Sequence, residues 1–111
     1  MSTVPGLAKA AQLFKVLGNE SRLDLLVLLG DQQLSVGKLT DLSGLSQPLV
    51  SQHLRTLKQA GLVTAKRDGK TMNYRVADHH VSHVIADALI HVQEPAADSV
   101  EADESSQEEQ S

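Results

Sequence analysis

At Gly61 the hydrophobic period of this chain changes, and that change limits the possible folds more than any other feature. Upstream, Val50, Leu54 and Leu57 recur at helical spacing. Downstream, Leu62-Val63-Thr64-Ala65-Lys66 and Met72-Asn73-Tyr74-Arg75-Val76 read as two strands. Asp68-Gly69 between them is a turn signal, in a connection longer than two residues. At 111 residues there is room for one ordinary domain, so helices and hairpin must share a core.

Four helices are predicted before the hairpin. Residues 5–17 form the first, with Pro5 in its first turn, Leu7, Ala10, Phe14 and Leu17 on one face, and Gly18 as its end. Asn19 caps the second, whose apolar face is Leu23, Leu26, Val27 and Leu29 and which Gly30 closes. Ser35 opens a short third helix. Ser46-Gln47-Pro48 then caps a fourth, running to about Ala60 and stopping at Gly61. After the hairpin, Asp78 opens a last helix that Pro95 terminates.

The net charge of -4 hides a division. Residues 95–111 hold six acids and no Lys or Arg, whereas residues 1–94 carry ten basic and eight acidic groups. The acidic stretch has almost no large apolar side chain to offset its ordering entropy, so 95–111 reads as a disordered, solubilising tail on a 1–94 domain. Without cysteine there are no disulfides, thiolate metal sites or nucleophilic thiols. An aromatic content of 2% argues against base-stacking surfaces of the RNA-binding kind. No membrane span or signal peptide is visible, and a cytoplasmic location is expected.

Two short helices joined tightly and followed by a basic hairpin suggest a winged helix-turn-helix. The fold class expected is mainly α with a β-hairpin wing. On the fourth helix, Gln47, Ser51, Gln52 and Arg55 fall opposite the apolar face, beside Ser46 at the cap. Amides, hydroxyls and a guanidinium suit base edges in a major groove. Arg67 and Lys70 at the hairpin tip suit backbone phosphate. His53 lies at the edge of the apolar face and reads as structural.

The run from Ser46-Gln47-Pro48-Leu49-Val50-Ser51-Gln52-His53-Leu54-Arg55 through Leu57-Lys58-Gln59-Ala60-Gly61-Leu62-Val63 resembles the ArsR/SmtB family of metal-responsive repressors. So does Gly18-Asn19-Glu20-Ser21-Arg22-Leu23-Asp24-Leu25-Leu26. The resemblance covers roughly residues 7–94. It implies a homodimer that binds double-stranded operator DNA and leaves it when an effector binds.

Four of the five histidines, His79, His80, His83 and His91, lie in the last helix, near Asp78, Asp87 and Glu94. One helix cannot gather them all, because His80 and His91 are about 16 Å apart along the axis. His91 and Glu94, at i and i+3, can share one ion, and Asp78 with His80 another. Two such helices lying antiparallel across a dimer would merge these half-sites. Val81, Val84, Ile85, Ala88 and Val92 supply an apolar seam, with His80, Asp87, His91 and Glu94 on its flank. The pattern Asp78-x-His80-x10-His91-x2-Glu94 resembles the C-terminal-helix site of the family's zinc sensors. The family's cysteine-based site cannot exist here. Two imidazoles and two carboxylates suit Zn²⁺, with Co²⁺ or Ni²⁺ possible. His79 and His83 read as surface residues, though their i, i+4 spacing can hold stray metal. The resemblance further implies a link from liganded His91 to a backbone carbonyl near Gly61.

A zinc-responsive repressor, released from operator DNA by metal, is thus the expected function. The alternatives are a winged-helix regulator answering another metal or none, and a metal-buffering protein. An enzyme is not expected, since no nucleophile–base pair stands at a motif spacing.

Overall fold

A computed structural model describes residues 4–95. The chain order is α1 (Leu7–Leu17), α2 (Glu20–Leu29), β1 (Leu34–Ser35), α3 (Val36–Ser43), α4 (Gln47–Gln59), β2 (Val63–Asp68), β3 (Thr71–Val76) and α5 (His79–Gln93). The acidic stretch lies outside the described residues apart from Pro95.

Most helix boundaries follow from local chemistry. The Asn19 side chain accepts from the Arg22 N–H, Ser35 from Lys38, Ser46 from Leu49 and Asp78 from Val81. Each side-chain oxygen satisfies one of the N–H groups that a helix start leaves open. α4 ends in a two-bond cap. Gly61 N–H donates to the Lys58 carbonyl at 3.0 Å and Leu62 N–H to the Leu57 carbonyl at 2.9 Å. Gly61 takes the left-handed conformation that this cap requires, with φ at 75°.

α1 begins at Leu7 rather than at Pro5. Gly6 occupies its N-cap in the left-handed region, which places Pro5 in the preceding turn. The hairpin loop is tighter than expected. Asp68 pairs with Thr71, so the strands extend until only Gly69 and Lys70 connect them. A further strand, β1, was not predicted. Leu34 and Ser35 pair with Tyr74 and Asn73, giving an antiparallel sheet of order β1-β3-β2. Two residues are too few to show a period, and their pairing depends on β3 being alongside.

The core gathers Leu17, Leu25, Leu26, Leu29, Leu39, Val50, Leu54, Leu57, Leu62, Val63, Val76 and Ile85. All five helices and the β2–β3 hairpin contribute to it. α2 turns a different face inward than predicted: Leu25 is fully buried while Val27 is exposed. The helix is apolar over much of its circumference, so tertiary contacts choose the face.

Two helices keep apolar surface outside. On α1, Leu7 and Phe14 are exposed, and only Leu17 is buried. On α5 the predicted seam divides. Ile85 is buried in the core with Val81 packed beside it, while Val84, Ala88 and Val92 remain exposed.

Candidate nucleic-acid interface and metal half-sites

α4 separates its residues by face. Val50, His53, Leu54 and Leu57 point into the core. Gln47, Gln52 and Arg55 are exposed, Ser51 is half-buried, and Lys58 and Gln59 continue the outer face. The Ser46 hydroxyl accepts the Leu49 N–H at 3.3 Å, so this side chain begins the helix besides standing at the edge of that face. The exposed polar groups of Gln47, Gln52, Arg55, Lys58 and Gln59 therefore project from a helix whose opposite side is locked by leucines. Such a helix presents donors and acceptors at fixed spacing to a groove.

The wing lies at the end of the β2–β3 ladder. Arg67 is exposed on β2, opposite Met72, and Lys70 is exposed in the two-residue loop. Lys66 is exposed just before them. α4 leads directly into β2 through the Gly61–Leu62 cap.

His53 is structural, with 9% of its surface exposed. Burial lowers its pKa below the ordinary imidazole value, and the Arg22 guanidinium acts in the same direction. Arg22 was not singled out from sequence, where it reads as an ordinary first-turn cation. Its Nη1 donates to the Val16 carbonyl at 2.8 Å, which ties α2 to the last turn of α1. A cation inside the second apolar run was the available signal.

The four candidate metal ligands occupy the two ends of α5. Asp78 is the N-cap, one carboxylate oxygen accepting the Val81 N–H at 3.1 Å, and His80 is exposed two residues on. At the other end, His91 Nδ1 lies 3.9 Å from Glu94 Oε1, both side chains more than half exposed. Within the described residues no three His, Asp or Glu side chains converge on one point. The protomer thus presents two separate pairs of nitrogen and oxygen donors. Their chemistry suits a borderline divalent cation. Between the pairs runs the exposed apolar surface of α5. A cleft of about 230 Å³ beside it is lined by Phe14, Leu17, Leu23, Val84, Ala88 and Leu89.

Gly61 stands next to the α5 start. The Leu62 carbonyl accepts the Ala77 N–H at 3.0 Å, so the exit of α4 is hydrogen-bonded to the residue preceding Asp78.

A polar face on a buttressed fourth helix and a basic antiparallel wing define a winged helix-turn-helix, the fold of a DNA-binding regulator. The family description "Bacterial regulatory protein, arsR family" matches residues 19–65. The HTH-type transcriptional repressor SmtB of Mycobacterium tuberculosis is 42% identical over 90 residues, covering 81% of this chain and 67% of that protein. The transcriptional activator HlyU of Vibrio cholerae is 41% identical over 78 residues, covering 70% of this chain and 72% of HlyU. The solution structure of a homodimeric winged helix-turn-helix domain from Mycobacterium bovis, a possible ArsR-family regulator, superposes with a TM-score of 0.72 at 31% identity. It covers 78% of this chain and 80% of that one. The chain belongs to the ArsR family of bacterial regulatory proteins. No helix among the described residues is long and apolar enough to cross a membrane.

Proposed function

We propose that this protein is a zinc-responsive transcriptional repressor. It binds operator DNA as an apo homodimer and is released when Zn²⁺ binds between the C-terminal helices. The observation that carries the reading is the layout of α5. One donor pair, Asp78 and His80, stands at its start, and another, His91 and Glu94, at its end, with unburied apolar surface between them. Packing α5 antiparallel against α5 of a second copy would cover Val84, Ala88 and Val92 and bring unlike ends together. Two identical N₂O₂ sets per dimer would follow, and zinc would serve there as a cross-link between protomers. The repressor SmtB among the relatives and the homodimeric structural neighbour support this reading.

Each residue then has a task. Gln47, Ser51, Gln52 and Arg55 read base edges, with Ser46 at the edge of the contact. Arg67 and Lys70 hold phosphate. The apo dimer sets its two α4 helices at the separation of half-sites about one DNA turn apart. Asp78 follows Ala77, whose N–H is bonded to the carbonyl of Leu62, just past the Gly61 cap of α4. His91 arriving from a second copy would reach the same corner. Its free ring nitrogen would donate to a backbone carbonyl near Gly61, so a change at the ligands moves the exit of the reading helix. By linkage, operator DNA weakens metal binding by the same factor as metal weakens DNA binding.

The test is operator affinity at fixed salt, with and without one equivalent of Zn²⁺ per site. A large loss of affinity with zinc, absent in His80→Ala and His91→Ala, is expected. Tight binding indifferent to zinc in the wild type would refute the metal response and leave the DNA-binding reading standing.

A further inference from the structure

We propose a second divalent-metal site within each protomer, chelated by His79 and His83, with Asp31 beside it. The two imidazoles lie one turn apart on α5, with ring centroids 5.6 Å apart and planes at 73°. A tetrahedral ion bonded to one nitrogen of each ring at about 2.0–2.1 Å would hold the centroids roughly 5–5.5 Å apart. The observed spacing meets that requirement with little movement. His79 and His80, by contrast, have centroids only 4.3 Å apart and lie on successive residues, so they cannot chelate one ion in this way.

The surroundings fit a cation. His79, His83 and Asp31 line one cleft of about 330 Å³ between the end of α2 and the first turns of α5. Both histidines and Asp31 are exposed. Among the described residues, no hydrogen bond or ion pair engages any of these three side chains. The groups are therefore free to ligate without breaking a hydrogen bond or ion pair. Two imidazoles are drawn to chelating distance and no third donor converges on them. The remaining positions are for water and, after rotation of its side chain, the Asp31 carboxylate. Imidazole donors of this kind take Zn²⁺, Ni²⁺ and Cu²⁺. An open, solvent-facing chelate is weaker and faster to exchange than a closed four-ligand site. Unlike the intersubunit set, it is complete in one chain and does not need the dimer.

The experiment uses the full chain carrying His80→Ala and His91→Ala, so that its outcome does not depend on the intersubunit reading. Zn²⁺ alone is titrated calorimetrically, and Co²⁺ serves as a paramagnetic probe of the imidazole resonances. One residual Zn²⁺ per protomer is expected, with Co²⁺ broadening the His79 and His83 ring protons first. Adding His79→Gln or His83→Gln lowers the residual affinity by about tenfold or more, and adding both lowers it little further, because a chelate needs both arms. Asp31→Asn has a smaller effect in the same direction. All these side chains are exposed, so the circular dichroism of the variants matches the parent. Absence of residual binding overturns the proposal. So does binding that survives both Gln substitutions, or Co²⁺ broadening centred elsewhere.

Discussion

Replacing Gly61 by Ala tests the link between backbone conformation and the end of α4. Gly61 has φ at 75°, and a Cβ added there meets nothing within 4 Å. Steric clash and new packing both drop out, leaving backbone conformation alone. Holding an L-residue in the left-handed region costs about 1–2 kcal/mol. Removing glycine's freedom from the unfolded chain offsets roughly 0.4–1 kcal/mol of that. The expected net loss is about 1 kcal/mol, or a fall in melting temperature of roughly 4–8 °C for a domain of this size. Gly61→Asn should lose less, since asparagine visits that region more readily. Gly18→Ala is a control. Its φ is -77°, and its added Cβ would stand 3.4 Å from the Phe14 carbonyl oxygen, so no left-handed penalty applies. The assay is urea unfolding with chelator present and at one protein concentration, because dimerisation makes apparent stability concentration-dependent. Unchanged or raised stability in Gly61→Ala would refute the reasoning. Equal losses in the Ala and Asn variants would do the same.

The pKa of His53 is lowered by burial, then by Arg22, so the folded state disfavours its proton. Its contribution to stability is complete above the unfolded imidazole value of about 6.5 and declines as pH falls from there toward the folded pKa. Urea midpoints of wild type and His53→Gln between pH 5 and 8 should therefore converge on the acid side; parallel curves would contradict this. Arg67→Ala with Lys70→Ala removes four phosphate contacts from the dimer and should reduce the salt slope of operator affinity by roughly 3.6, at about 0.9 per contact, in fluorescence anisotropy. An unchanged slope would remove the wing from the phosphate contacts. Phe14→Glu places a charge on a side chain that is 56% exposed in the protomer. It should leave the circular dichroism spectrum intact and yield monomers in sedimentation; a persistent dimer would move the interface elsewhere.

Local chemistry made much of this fold legible from sequence. Capping oxygens at Asn19, Ser35, Ser46 and Asp78, glycines at 18, 30 and 61, and the period change after Gly61 are all short-range signals. Helix starts need a partner for open N–H groups within three residues, and these residues supply one. The outer face of α4 was legible for the same reason, since leucine spacing alone determines which side is left to Gln47, Gln52 and Arg55. Where two faces were about equally apolar, sequence could not choose. Leu25 rather than Val27 entered the core because α2 is apolar on several sides, and only its neighbours select among them. The β1 pairing and the Arg22 bond to Val16 likewise join residues that no local period connects. The sequence by itself determined where α2, α3, α4 and α5 begin, what chemistry α4 exposes, and which donors lie at each end of α5. Tertiary structure alone decided that Ile85 turns inward while Val84 and Ala88 stay outside, that the α4 exit is bonded to the α5 start, and that His79, His83 and Asp31 share a cleft. Those outcomes depend on through-space packing and distance, which a one-dimensional pattern of residue types does not carry.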